Sequence, residues 1–317
     1  MGLLHSVRVR LGAVRRQIGW RGDVDERLLW VFGSPRSGST WLLRMLTEHE
    51  RVVPVNEPLI GVHLGLMLPD AVDLEVDLEA LDSEGFMVRQ LRAENPDDFF
   101  ADEFRDVWLP ALGELLRKRF AAHAQRYPRN PLDAVLAIQE PNGSQSADVI
   151  MGALPRSRFV FLLRDGRDVV DSILAASQPD TWATRSFRGL GGISETERPR
   201  HVELLARKWL WRTEVVERAF AAHRGPKYRL RYEDLRTDTP GELRRLLDAV
   251  DLGVDDSKLA AMIEPHSYER TPAEGVGPKG FRRAATPGLW REHFSSEEQA
   301  VLARILGPKL RELGYDA

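Results

Sequence analysis

The sequence contains no cysteine. That excludes a disulfide framework, a thiolate nucleophile and any zinc or iron centre held by sulfur, and it suits a reducing compartment, so a cytoplasmic protein is expected. Long hydrophobic runs are lacking too. The longest, Leu28 to Phe32 and Phe159 to Leu163, are a fraction of the ~20 apolar residues that cross a bilayer. Charge of either sign is nearly balanced, with a net of −3 over 317 residues, so no basic field points to nucleic acid as a partner. Any anion site has to be built locally. With 43% apolar and 29% charged residues, the chain is an ordinary globular one with enough material for a full core.

Arg15-Arg16-Gln17-Ile18 looks like the start of a twin-arginine export signal, but Gly19 to Glu26 stands where an apolar stretch is required. Export is not expected. Leu4, Val7, Leu11, Val14 and Ile18 recur at helical spacing, with Arg8, Arg15 and Arg16 elsewhere on the wheel. Residues 1–27 therefore read as a short basic amphipathic helix and a linker. Two uses for it stay open: packing on its own domain or on a second copy in a homodimer, and peripheral contact with a membrane surface.

Residues 28–317 read as one domain. Leu28 to Phe32, Val135 to Ile138 and Phe159 to Leu163 are short, branched or aromatic, and free of polar alternation, as parallel strands covered on both faces are. Helical patterns at 40–48, 97–120 and 166–176 separate them, and the second places Phe100, Phe104, Val107, Trp108, Leu112, Leu115 and Leu116 on one stripe. Helices near 200–222, 240–250 and 296–313 and a short strand at Tyr228 to Arg231 follow. This alternation predicts an α/β chain with a three-layer, P-loop-like fold, a central parallel sheet flanked by helices. Asp70 to Glu84 alternates Val72, Leu74, Val76 and Leu78 with carboxylates and reads as a solvated surface, an edge strand or a lid. The stretches 177–199 and 270–288 read as loops over a site.

The sharpest feature is Gly33-Ser34-Pro35-Arg36-Ser37-Gly38-Ser39-Thr40-Trp41, directly after the first strand and opening a helix. Such a turn aims backbone N–H groups and the positive end of a helix dipole at one point, which suits a phosphate. It departs from a Walker A loop where the chemistry is decided. Ser39 stands where the P-loop lysine would be, and the cation has moved forward to Arg36, which disfavours ATP hydrolysis. The segment resembles the 5'-phosphosulfate loop of sulfotransferases dependent on 3'-phosphoadenosine-5'-phosphosulfate (PAPS), in its arginine-bearing form. The resemblance implies that Arg36 meets the bridging oxygen and 5'-phosphate, that Ser37, Gly38, Ser39 and Thr40 surround the phosphate, and that Trp41 lies near the adenine.

Further elements occur in the same family's order. Arg164-Asp165-Gly166-Arg167-Asp168-Val169-Val170-Asp171-Ser172 resembles the 3'-phosphate segment, implying that Arg164 and Ser172 grip that group. Tyr232, in Tyr232-Glu233-Asp234-Leu235, and Tyr268, in His266-Ser267-Tyr268-Glu269, resemble the residues that supply a hydroxyl and an aromatic face to the purine. Phe281-Arg282-Arg283 and Gly288-Leu289-Trp290 resemble the closing basic segment. There the family's Arg-Lys-Gly is replaced by Arg283-Ala284-Ala285, so Arg283 carries over and Arg282 and Lys279 stand as substitutes.

The resemblance implies PAPS as co-substrate, 3',5'-adenosine bisphosphate as product, no metal, and an acceptor hydroxyl on a small metabolite, glycoside or glycolipid. A base is then needed. Glu57, in Val55-Asn56-Glu57-Pro58, resembles the glutamate of branches acting on sugars and tyrosyl peptides; Glu140, in Gln139-Glu140-Pro141-Asn142, is the second candidate. Trp182, Phe187, Trp209 and Trp211 could line an acceptor pocket, although the last two also fit a helix core. Two other functions stay open: a kinase or nucleotide hydrolase on a similar loop, and a nucleotide-binding module without turnover.

Overall fold

Five short strands form the centre of the computed structural model, which describes residues 23–64, 96, 97, 99–127, 134–178, 181, 193, 194, 196–267 and 286–316. Strand β1 (Leu28–Phe32) leads into α1 (Ser39–Thr47), β2 (Val52–Asn56) and a single helical turn, α2 (Ile60–His63). After α3 (Arg105–Ala124) come β3 (Val135–Gln139), α4 (Ala147–Ala153), β4 (Arg158–Leu163) and α5 (Gly166–Ala176). The long α6 (Arg198–Ala222) returns to β5 (Lys227–Arg231), and α7 (Tyr232–Thr237), α8 (Thr239–Ala249), α9 (Asp256–Ile263), α10 (Trp290–His293) and α11 (Ser296–Glu312) complete the described chain.

The strands pair in parallel in the order β2-β3-β1-β4-β5. Leu28, Trp30 and Phe32 face a layer built by α3, α4, α5, α6 and α11, while Leu29 and Val31 face α1, α8 and α9. All five residues of β1 are buried, which is why its sequence shows no polar alternation. Because β1 lies between β3 and β4, the loops leaving all three carboxyl ends gather at one edge. The chain runs from β1 to one side and from β4 to the other, and that divergence opens a crevice at this edge.

Two expectations are corrected. Residues 52–56, to which the sequence pattern assigns no element, form a fifth strand; it pairs with β3 alone, and an edge position tolerates Pro54. The helix expected over 97–120 begins at Arg105 after a 3₁₀ turn at Asp102–Phe104, and its apolar residues do not form one buried stripe. Trp108, Leu112, Leu116 and Phe120 face the core at four-residue spacing, while Phe104, Val107 and Leu115 lie on the neighbouring flank, 44%, 67% and 64% exposed. The amino-terminal pattern at 3–18, the segment 70–84, Trp182, Phe187, Tyr268, Lys279, Arg282 and Arg283 lie outside the described residues.

Candidate active site

The cradle follows β1 directly. Arg36 takes a left-handed backbone with φ of 67°, and Gly38 follows with φ of 88°. A side chain at Gly38 would be strained in that region, and its Cβ would stand 2.6 Å from the ring of Tyr232, so glycine is required on both counts. Helix α1 starts at Ser39, and the turn before it carries serine hydroxyls inward. Ser34 and Ser37 are buried at 5% and 1% exposure, and neither Oγ has a hydrogen-bond partner among the described residues. Buried hydroxyls are ordinarily paired, so two unpaired donors beside a helix N-terminus and an arginine fit an oxyanion.

Arg164 and Ser172 arrive from β4 and α5, next door to β1. Arg164 Nη1 donates to the Arg36 carbonyl at 2.8 Å, its guanidinium lies 4.5 Å from the centre of the Tyr232 ring, and its Nε is a buried donor without a partner. Arg36 Nε donates to Ser172 Oγ at 3.1 Å. The residues expected at the 5' and 3' ends of a nucleotide therefore adjoin. Burial, and next the charge of Arg164, lower the Arg36 pKa to about 10, while Glu57 and Tyr232 oppose the shift. Arg36 remains cationic at neutral pH.

An aromatic corner flanks this group. Trp41 and Tyr232 meet edge to face at 6.3 Å, and Trp41 Nε1 donates to the His266 carbonyl at 2.9 Å. Tyr232 is buried. Gly288, five residues after Arg283, donates its N–H to Asp168 Oδ2 at 2.8 Å, and Arg167 stacks on Trp290 at 4.3 Å. These contacts tie the Gly288-Leu289-Trp290 turn to α5. Asp168 was not singled out by sequence.

The carboxylates come from the other side. Asn56 pairs in register with Gln139, so Glu57 and Glu140 leave neighbouring strand ends side by side. The Glu57 N–H donates to the Gln139 carbonyl at 3.0 Å, and its carboxylate accepts from Gln139 Nε2 at 3.2 Å and Asn142 Nδ2 at 2.7 Å. Glu57 and Leu59 both have left-handed backbones, φ 45° and 56°, on either side of Pro58. That tight turn is held from below by Glu140, whose Oε2 accepts from the Leu59 N–H at 3.0 Å. Glu140 is 0% exposed, and burial raises its pKa to about 7 against the opposing backbone N–H groups of residues 59–61. Its carboxylate fits only because residue 143 is glycine: a Cβ there would lie 1.9 Å from Glu140 Oε1.

One hydroxyl joins the two sides. Ser144 Oγ accepts from the Gly33 N–H at 2.9 Å and can donate to either of two carbonyls, Gly33 or Glu140, each at 2.8 Å. Gln139, Asn142 and Ser144 are thus site residues that sequence reasoning missed. Their only signal was position, at the end of β3 and in the loop after it. Trp209, offered as a pocket residue or as core, is core: it is 2% exposed and packs on Gly166 at the start of α5. Among the described residues no group of three or more histidine, aspartate or glutamate side chains could hold a metal ion, and no helix is long and apolar enough to cross a membrane.

Known proteins share this fold. A structure of mouse sulfotransferase SULT7A1 complexed with PAP aligns over 92% of this chain and 86% of its own, with 12% identity and a TM-score of 0.51. Sulfotransferase STF9 from Mycobacterium avium aligns over 98% and 81%, with 14% identity and a TM-score of 0.55. At such identities the likeness shows a shared fold. No curated protein sequence matches the chain. The profile of the sulfotransferase family matches residues 29–256, from the second residue of β1 to the first of α9, and so includes the cradle, both carboxylates, Arg164 and Ser172. With most of its length under that one profile, the chain belongs to the sulfotransferase family.

Proposed function

We propose that the chain moves a sulfuryl group from PAPS to an acceptor hydroxyl and releases 3',5'-adenosine bisphosphate. The observation that carries this reading is the set of buried donors at the cradle: Ser34 Oγ, Ser37 Oγ and Arg164 Nε without partners, beside a half-buried Arg36. The PAP held by the mouse neighbour is in keeping with it.

The chemistry follows from charge and position. In the transfer, the acceptor oxygen forms a bond to sulfur as the bond from sulfur to the 5'-phosphate oxygen breaks, with entering and leaving oxygens in line. Negative charge grows on the leaving phosphate, where Arg36 and the amides opening α1 stabilise it. The acceptor proton passes to Glu57, whose half-buried carboxylate is aimed by Gln139 and Asn142. Glu140 is the poorer base on geometric grounds: it is sealed from solvent and its Oε2 already accepts from the turn that carries Glu57. Trp41 and Tyr232 supply faces for the adenine.

Calorimetry tests the nucleotide. The bisphosphate should bind roughly tenfold or more tightly than AMP, because only it reaches Arg164 and Ser172 as well as the cradle. Equal binding would overturn the reading. Transfer from labelled PAPS to an acceptor panel then separates an enzyme from a module that binds without turnover.

A further inference from the structure

Strands β4 and β5 end level with each other, Leu163 opposite Arg231. The next residue on each chain is a nucleotide contact in the reading above, Arg164 on one and Tyr232 on the other, and the guanidinium lies 4.5 Å from the ring centre. One residue further on, the two chains are still joined. Glu233 Oε1 accepts from the Asp165 N–H at 3.0 Å, so a side chain extends the pairing past the last residues of the ladder.

The carboxylate is itself held. Its Oε2 accepts from the Tyr315 hydroxyl at 3.0 Å, and Tyr315 is 8% exposed, with the Arg231 guanidinium 4.0 Å from the centre of its ring. Asp316 secures the same corner. Its carbonyl accepts from Arg167 Nη2, and the other partner of Arg167 is the Asp165 carboxylate, at 2.7 Å. Residues 315 and 316, which follow α11, thus reach both members of the contact between Asp165 and Glu233.

An acid in the first turn of a helix such as α7 is favoured by the dipole alone, but that effect asks nothing of its two oxygens beyond water. Here each oxygen meets a protein donor. Burial raises the Glu233 pKa, while the Asp165 N–H, the Tyr315 hydroxyl and the charge of Arg164 act the other way. A carboxylate bound at both oxygens is a fixed point, and a backbone N–H tied to it cannot shift without breaking a charge-assisted hydrogen bond. That N–H belongs to Asp165, and Arg164 is the residue before it.

Arg164 is also tied at its far end, where Nη1 donates to the Arg36 carbonyl at 2.8 Å, and its buried Nε is left without a partner among the described residues. We infer that Glu233, locked by Tyr315, is a positioning residue for the 3'-phosphate: it fixes the strand end from which Arg164 reaches that group, and with it the preference for a 3'-phosphorylated nucleotide. This rests on the transfer reaction proposed above.

The test uses the full chain, with 3',5'-adenosine bisphosphate and AMP as matched ligands in calorimetry. Glu233→Gln keeps the shape of the side chain but turns an amide group toward one of the two donors. The preference for the bisphosphate over AMP should shrink by about 10-fold, with AMP itself weakened by about threefold at most. In transfer from labelled PAPS, the loss should fall mainly on KM. Tyr315→Phe, which removes only the hydroxyl, should shrink the preference by about threefold, and adding it to Glu233→Gln should cost little more, because the hydroxyl acts through the carboxylate.

A preference unchanged in either variant overturns the inference. So does an equal loss for AMP and the bisphosphate, which is what a general loosening of the fold would give. Should Glu233→Gln fail to fold, Tyr315→Phe decides by itself. A wild type that prefers the bisphosphate, with variants that prefer it just as strongly, sinks this inference alone; a wild type without that preference sinks the transfer reaction itself.

Discussion

The two sides of the crevice are built on opposite plans. On the cradle side, Arg164, Ser34 and Ser37 carry buried donors without partners among the described residues, and an aromatic pair stands by. On the carboxylate side, the acids are held by protein donors, although Gln139 Oε1 and Glu140 Oε1 are buried without partners among the described residues: Glu57 takes both side-chain amides of its neighbours, and Glu140 Oε2 accepts from the backbone of the turn above it. A surface that must receive a large anion keeps its donors open, whereas a group that must take one proton at one point is better fixed beforehand. The comparison assigns binding mainly to one side and orientation mainly to the other.

The sharpest way to break that division is Glu57→Gln. Turnover should fall about 10²- to 10⁴-fold while affinity for the bisphosphate is retained, measured by single-turnover transfer and calorimetry. Loss of nucleotide binding in this variant would show that the two sides are not separate. Arg36→Ala should cost about 10²- to 10³-fold in transfer and weaken the nucleotide as well, since the same cation serves both. A fall in turnover at unchanged affinity would move Arg36 out of the ground-state site.

Glu140 sharpens the comparison through pH. Its folded pKa of about 7 lies above the ordinary 4.5, so the folded protein binds the extra proton in that window. Its contribution to stability is therefore full below about 4.5 and is lost as pH rises toward about 7, by up to about 3 kcal/mol. Glu140→Gln, which carries no such charge, should gain on the wild type in denaturant titrations as pH is raised from 5 to 8. A difference that does not vary with pH would mean that the buried carboxylate is not titrating there.

The smallest effect is expected at the bridge between the sides. Ser144→Ala leaves the buried Gly33 N–H without its acceptor and should destabilise by roughly 1 to 3 kcal/mol, read from chemical denaturation. A change within error would place the contact outside the energetics of the crevice.

How much of this was legible in the sequence depended on how local the cause was. β1, the cradle and α5 were readable because buried runs, a glycine turn and helical spacing are written in adjacent residues. The start of α3 was not. Val107 and Leu112 are both apolar and on one helix, and only the tertiary contact decides that the second is buried. The roles of Gln139, Asn142 and Ser144 depend on β2 pairing with β3 in one register and on β1 lying beside β3, neither of which any single segment encodes. Glu57 could be offered as a base from its resemblance to other branches of the family, but the proposed division of labour with Glu140 rests on the backbone of residues 57–61, where two left-handed residues flank a proline.

The missing side chain at position 143 ties the history of two residues together. Because the space a β-carbon would fill there is occupied by the Glu140 carboxylate, residue 143 cannot gain a side chain while that carboxylate stays in place. Among relatives, a larger residue at the first position should be accompanied by a shorter or differently pointed one at the second, and lineages that abandoned the buried acid should show the glycine relaxed soon after.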